Sequence, residues 1–192
     1  DCARAAGQRD SGAMTLLITG VSHKTAPVAL RERLAFPEAG QAEALRDLKA
    51  RGASEALILS TCNRVEVVVT AEEGTDPRGI VTAFLSEQRG VPPWEIEPHL
   101  YRYENREAIH HIFRVAASLD SMIVGEPQIL GQIKAAYCLA RSQGALSGWL
   151  ESVLTRAFSV AKRVRSETGI GQMAVSVSYA AVELARKIFG SL

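Results

Sequence analysis

Cysteine and histidine are scarce in this chain, and their scarcity removes whole classes of function. Only Cys2, Cys62 and Cys138 occur among the 192 residues. They form no C-x-x-C pair and their number is odd, so neither a disulfide framework nor a cysteine-rich zinc site is expected. With four histidines, His23, His99, His110 and His111, no metal is expected. Long apolar runs are missing too: nothing approaches the roughly 18 uninterrupted apolar residues of a membrane span. Residues 1–10 lack the apolar stretch of a signal peptide. Nor is there an excess of either charge. Lys and Arg total 22 against 21 Asp and Glu, a net charge of +1. Such a chain has no general attraction to nucleic acid, so RNA contact requires a local basic patch and DNA is not an expected partner. What remains is a globular chain suited to a reducing cytoplasm.

The residues present are enough for one domain with a real core and an appended helical segment: 47% are apolar and 22% charged. Residues 1–13 read as a disordered tail, an expression remnant or an upstream start, with Met14 as the natural beginning. The run Leu16 to Val21 is of β type and ends near a Gly20 and Pro27 turn. Residues 38–51 carry Ala42, Leu45 and Leu48 at helical spacing, with Gly52 as the stop. Two strands follow, over 55–60 and 65–70. Asp76-Pro77 opens a second helix, with Ile80, Val81, Phe84 and Leu85 on one face and Gly90 closing it. Pro92-Pro93 breaks the chain, residues 99–103 form a last strand, and a helix covers 105–117. This β-α-β-β-α-β order predicts an α+β fold, a ferredoxin-like split βαβ domain. The remainder is helical, over 127–142, 146–167 and 173–189. Domain limits are placed at 14–145 and 146–192.

Ser60-Thr61-Cys62-Asn63-Arg64 interrupts two β-type runs, 56–59 and 65–69, with hydroxyl, thiol, amide and guanidinium groups. A thiol in such company at a strand end is suited to be a nucleophile rather than a core residue. In extended backbone Cys62 and Arg64 project to one face and Thr61 and Asn63 to the other. Arg64 then either lowers the thiol pKa or holds a carboxylate bidentately, unless it is a solvated strand-end arginine. Gln128 and Gln132, four apart on a helix, can address one ligand or simply decorate a surface. His111 sits at the rim of the apolar arc of Ile109, Ile112, Phe113 and Ala116, where a structural role and a functional one both stand. Arg156, Lys162, Arg163 and Arg165 form either a phosphate-contacting face or a solvated one. Gly169-Ile170-Gly171-Gln172-Met173-Ala174 satisfies G-x-G-x-x-A. It follows a helix rather than a strand, so it reads as a helix stop and hinge, not a dinucleotide site.

A set of segments resembles the N-terminal, catalytic part of glutamyl-tRNA reductase. They are Gly20-Val21-Ser22-His23-Lys24-Thr25-Ala26-Pro27, Leu30-Arg31-Glu32-Arg33, Ser60 to Arg64 with Glu66, and Ala116-Ala117-Ser118-Leu119-Asp120-Ser121. Gly125-Glu126-Pro127-Gln128-Ile129-Leu130-Gly131-Gln132 and Ser159 to Arg165 follow in the family's order. The resemblance implies NADPH-dependent reduction of glutamyl-tRNA to glutamate-1-semialdehyde, the committed step of five-carbon tetrapyrrole synthesis. It implies Cys62 as thioester-forming nucleophile and His111 as an activity-bearing histidine, a general acid/base or an orienting group. It places Thr61, Asn63, Arg64, Ser121, Glu126, Pro127, Gln128 and Gln132 at the substrate. Thr61 and Asn63 also have a plainer use, satisfying backbone groups at a turn. His23 belongs to a family motif near the site, and the sequence assigns it no particular chemical role. The family's NADPH-binding segment begins just after Leu192, so the chain is expected to hold the acylation site only. The family also implies a homodimer when full length, through parts absent here. Two other functions fit the residues: a thiol-dependent aminoacyl ester hydrolase using Cys62 and His111, and a non-catalytic tRNA-binding module.

Overall fold

Along Arg64–Ala71 a charged or hydroxyl side chain alternates with valine at its start and end, and both sets are buried. A strand buried on both faces needs cover on both, and its neighbours supply it. The computed structural model describes residues 14–171, 182 and 184–188. Its strands are β1 (Thr15–Ser22), β2 (Glu55–Ser60), β3 (Arg64–Ala71) and β4 (Tyr101–Glu104). They form one sheet in the order β2-β3-β1-β4 with every neighbouring pair antiparallel. The helices are α1 (Val28–Leu34), α2 (Glu38–Ala50), α3 (Pro77–Arg89), the short α4 (Pro93–Ile96), α5 (Asn105–Ala116), α6 (Gln128–Ser142) and α7 (Trp149–Glu167). Among the described residues, no helix is long and apolar enough to cross a membrane.

The two faces of the sheet can be read from β4. Tyr103 stacks on His111 of α5 and Tyr101 lies tilted against it, while Arg102 between them reaches Thr82 of α3. Period-two alternation therefore puts α5 on one face and α3 on the other. α1 and α2 accompany α3, and α6 and α7 accompany α5. Leu16, Leu17 and Ile18 of the inner strand β1 are wholly buried between the two layers.

Several boundaries differ from the sequence pattern. α1 was not expected, since a helix of seven residues is too short to display a period. It forms because Leu30 and Leu34, four apart, are buried together. Residues 61–63 are not extended: β2 ends at Ser60 and β3 starts at Arg64, so Thr61, Cys62 and Asn63 make a three-residue hairpin connection. Cys62 and Arg64 thus do not belong to one strand face. α6 begins at Gln128, with Pro127 as its cap rather than its first residue. α7 begins at Trp149, three residues later than predicted. Of the helix predicted over 173–189, residues 182 and 184–188 are helical. The remainder, residues 172–174 of the G-x-G-x-x-A match, and the 1–13 tail lie outside the described residues.

One buried carboxylate joins the sheet to the last long helix. The Glu55 side chain accepts from the backbone amides of Ser147 (3.2 Å), Gly148 (2.9 Å), Leu150 (2.8 Å) and Glu151 (3.4 Å). These are the free N–H groups at the start of α7, whose own cap residue, Gly148, has no side chain to supply an acceptor. A strand residue more than 90 positions away does so instead. Alongside, the Ala56 amide donates to the Ala145 carbonyl at 2.9 Å. α7 then buries Leu150, Leu154, Ala157 and Ala161 against the core. Glu55→Ala should lower stability by about 2 kcal/mol, the cost of stranding the buried Leu150 amide and losing the other cap bonds. Urea denaturation measures the loss, and faster amide exchange at residues 147–151 would place it at the cap.

Candidate active site

The hairpin tip that carries Cys62 is exposed but firmly held. The Thr61 amide donates to the Arg64 carbonyl at 2.8 Å, closing the turn. The Thr61 hydroxyl accepts from the amides of Asn63 (3.2 Å) and Arg64 (3.1 Å). From outside the hairpin, the His23 amide donates to the Asn63 carbonyl at 2.8 Å, and Arg31 of α1 donates to the Cys62 carbonyl. The Phe36 amide donates to the Ser60 hydroxyl at 2.9 Å. A nucleophile needs both access and a fixed direction, and this loop supplies both.

Beside the loop lies a buried ionic cluster. Glu66 is 3% exposed, yet its Oε1 accepts from Arg64 Nη1 (2.7 Å), the Tyr101 hydroxyl (2.5 Å) and His111 Nε2 (2.8 Å). Burial alone would push the carboxyl pKa up. The His111 hydrogen bond, the Arg64 charge and the Tyr101 hydroxyl outweigh it and hold the pKa down to about 2, from an ordinary 4.5. Gly20 pairs with Glu66 across β1, and a Cβ there would stand 2.6 Å from the Val65 carbonyl oxygen and 2.9 Å from the Glu66 side chain. The glycine leaves the space in which the cluster sits. Arg64, 2% exposed, spends its other nitrogen on Asp120: Nη2 donates to the backbone carbonyl and, at 3.1 Å, to Oδ2. Lys24 Nζ holds Asp120 Oδ1 at 2.5 Å from the far side.

Two clefts flank this cluster. One, of about 250 Å³, is lined by Thr61, Cys62, Asn63 and Arg64 from the hairpin, and by Ser121, Met122, Glu126, Gln128, Ile129 and Gln132 from the α5–α6 loop and α6. The other, of about 430 Å³, is lined by Lys24, Asp120, Arg114, His110 and His111 with Tyr103 and Glu107. Arg64 lines the first and Asp120 the second, so their ion pair spans the partition between them.

The chain matches the family described as glutamyl-tRNAGlu reductase, N-terminal domain, over residues 19–168. It belongs to that family. A glutamyl-tRNA reductase of Solibacter usitatus is 71% identical over 180 residues, which make up 93% of this chain and 43% of that protein. One from Syntrophotalea carbinolica is 54% identical over 180 residues, 93% and 41% of the two chains. Among solved structures, a glutamyl-tRNA reductase from Methanopyrus kandleri superposes with a TM-score of 0.70 at 37% identity, covering 92% of this chain and 41% of its own. The chain thus spans less than half the length of the glutamyl-tRNA reductases it matches.

Within the family member in hand, Cys62, Thr61, Asn63, Arg64, Ser121, Glu126, Gln128 and Gln132 meet in the smaller cleft. Pro127 does not line it; exposed at the start of α6, it shapes the backbone there. The Thr61 hydroxyl is engaged with the turn. His111 is buried rather than at a rim and lines the other cleft, with Glu66 and Arg64 between it and the hairpin. Among the described residues no hydrogen bond joins Cys62 to His111. Arg64 is neither solvated nor free, being committed to Glu66 and Asp120. The basic face of α7 is divided: Arg156 and Lys162 are exposed, Arg163 pairs with Glu167, and Arg165 donates to the carbonyls of Glu126 and Gly125. His23 Nδ1 is buried without a hydrogen-bond partner, and His99 Nδ1 contacts the Thr25 carbonyl at 2.7 Å.

Glu66, Tyr101, Asp120 and Lys24 were not singled out as site residues. Glu66 did carry a signal, since a carboxylate set among valines, two residues from an arginine, must be paired if buried. Its depressed pKa makes a sign-definite contribution. The stabilisation is complete above about pH 4.5 and is lost as pH falls toward about 2. Glu66→Gln should remove that part of the acid dependence and lower stability at neutral pH by about 3 kcal/mol. Urea midpoints of both proteins across that pH range test it; parallel acid profiles would refute the role given to Glu66.

Proposed function

We propose that this chain performs the acyl-transfer half of glutamyl-tRNA reduction: Cys62 takes the glutamyl group from glutamyl-tRNA as a thioester. The observation that carries the reading is the exposed thiol on a braced hairpin tip, opening into a cleft shared with a buried arginine and two glutamine amides. The Cys62 sulfur, as thiolate, attacks the ester carbonyl carbon. A carbon–sulfur bond forms, the carbon–oxygen bond to the ribose breaks, and the ribose oxygen takes up a proton as the tRNA leaves. A thiol is a few per cent ionised at neutral pH, which suffices for a strong nucleophile. Arg64 is the group for the substrate's side-chain carboxylate, and Asn63, Ser121, Gln128 and Gln132 address the remaining polar atoms of the glutamyl group. His111, acting through Glu66, positions Arg64.

A cleft of about 250 Å³ suits an aminoacyl group and is small for a dinucleotide. Among the described residues no glycine-rich turn leads from a strand into a helix in a βαβ unit, and the residues described do not fit NADPH. The proposal for this chain therefore stops at the acyl-enzyme. Reduction to glutamate-1-semialdehyde with NADPH, entry into tetrapyrrole synthesis, a homodimeric whole protein and a cytoplasmic setting follow from family membership as parts of the same reading. We also read a ferredoxin-like assignment, supported by the strand order, and a unit over 14–145 with a helical segment over 146–192 packed on it. Hydrolysis by a Cys62–His111 dyad is disfavoured, because His111 Nε2 is taken by Glu66.

Incubation with glutamyl-tRNA, an acid quench and mass spectrometry of the Cys62 peptide test the acylation. A glutamyl adduct is expected, with Cys62→Ser reducing its formation at least about a thousandfold. Bound tRNA without an adduct would instead make the chain a tRNA-binding module.

A further inference from the structure

A carboxylate clamp on the end of the guanidinium needs both terminal nitrogens free, and in Arg64 both are engaged. Its Nη1 is held by Glu66 at 2.7 Å and its Nη2 by the carbonyl and Oδ2 of Asp120, with the side chain 2% exposed. Asp120 thus sits on Arg64 as a substrate carboxylate would. It is also the residue with somewhere else to go. Its Oδ1 already bonds Lys24, and Arg114 Nη2 stands 3.9 Å from the same oxygen, both lining the larger cleft.

The segment carrying Asp120 is built as a unit. Ser118 adopts φ 62° and Gly125 φ 87°, left-handed conformations at the two ends of the loop. The Gly125 amide donates to the Ser118 carbonyl at 3.0 Å, and the Ser118 hydroxyl donates to the Glu126 carbonyl at 2.7 Å, closing the neck. Beyond the neck Leu119, Met122 and Val124 are 42%, 50% and 54% exposed, so these apolar side chains do not anchor the loop in the core. Ser121 and Met122 of the same loop line the thiol cleft. A shift of this loop alters both clefts together.

We propose that Asp120 is a specificity-determining residue: an internal carboxylate seated on Arg64, which the side-chain carboxylate of the substrate displaces toward Lys24 and Arg114. The exchange replaces one carboxylate by another on a buried cation, so the charge of the site is preserved. A neutral side chain that displaced Asp120 would leave Arg64 with Glu66 alone, a buried charge less well compensated. Substrates too short to reach Arg64 do not open the pair at all. The inference rests on the carboxylate role given to Arg64 above.

The test is the concentration dependence of Cys62 acylation in the parent chain and in Asp120→Asn, with glutamyl-tRNA and with alanyl-tRNA, whose side chain cannot reach Arg64. A pair closed nine-tenths of the time raises the apparent dissociation constant about tenfold. Asp120→Asn should therefore lower half-saturation for glutamyl-tRNA by about three- to tenfold and leave that for alanyl-tRNA unchanged. Half-saturation that rises or stays the same for glutamyl-tRNA would overturn the displacement, as would an equal fall for both substrates. A second measurement needs no variant. Glutarate, a dicarboxylate, should speed amide exchange over residues 119–124 of the parent chain, and slowed or unchanged exchange refutes the displacement. If the parent chain is never acylated while glutarate loosens the loop, acylation fails and Asp120 displacement survives. Normal acylation with an insensitive Asp120→Asn fails only the displacement.

Discussion

The buried carboxylate of Glu66 is the constraint around which the site is assembled. A charge inside a strand of valines is tolerated only if opposite charge and hydrogen bonds surround it. Glu66 draws these from three elements: Arg64 of its own strand, Tyr101 of β4 and His111 of α5. Meeting that requirement fixes β4 beside β1, seats α5 on this face of the sheet, and demands a glycine at position 20 opposite. The fold and the site therefore share one interaction. His111 belongs to this assembly before it belongs to any chemistry, and it lies behind Arg64 and Glu66 rather than next to Cys62.

Local pattern made much of the fold legible. The β-type runs, the helical spacing of Leu45 and Leu48, and the Asp76-Pro77 and Gly90 signals placed elements within a few residues of their observed limits. Cys62 was legible because polar groups interrupted two apolar runs. The failures share a cause, dependence on partners distant in sequence. α1 is too short to display a period and exists through tertiary burial of Leu30 and Leu34. The bonds to Asp120 from Lys24 and Arg64 cross 96 and 56 residues, and Glu55 reaches across more than 90. A single sequence assigns charge to these positions but not company. Arg64 accordingly read as a thiol-activating or carboxylate-holding cation beside Cys62, with no sign that Glu66 and Asp120 already engage it or that it is among the most buried side chains.

The contrast between the two residues at the hairpin is chemically useful. Cys62 projects from a turn whose backbone is held by α1, by the β1–α1 turn and by its own threonine, so its sulfur is accessible without being loose. Arg64, two residues on, is sunk in an ionic cluster where a guanidinium acts more strongly than in water. The accessible thiol is placed at the surface and the paired guanidinium below it. The partition between the two clefts is the Arg64–Asp120 ion pair, with the thiol on one side of it.

That partition is braced from the far end of the molecule. Arg165 of α7 donates to the carbonyls of Gly125 and Glu126, and a Cβ on Gly125 would lie 2.3 Å from the Ile170 carbonyl oxygen just beyond the helix. The neck of the Asp120 loop is therefore clasped by the end of α7, while the start of α7 is capped by Glu55 of the sheet. Cleft, loop and sheet close into a single mechanical circuit through that helix. The family match runs to residue 168, the cap residue of α7. On physical grounds α7 is part of the same packed unit, because removing it would release the loop whose Asp120 holds Arg64.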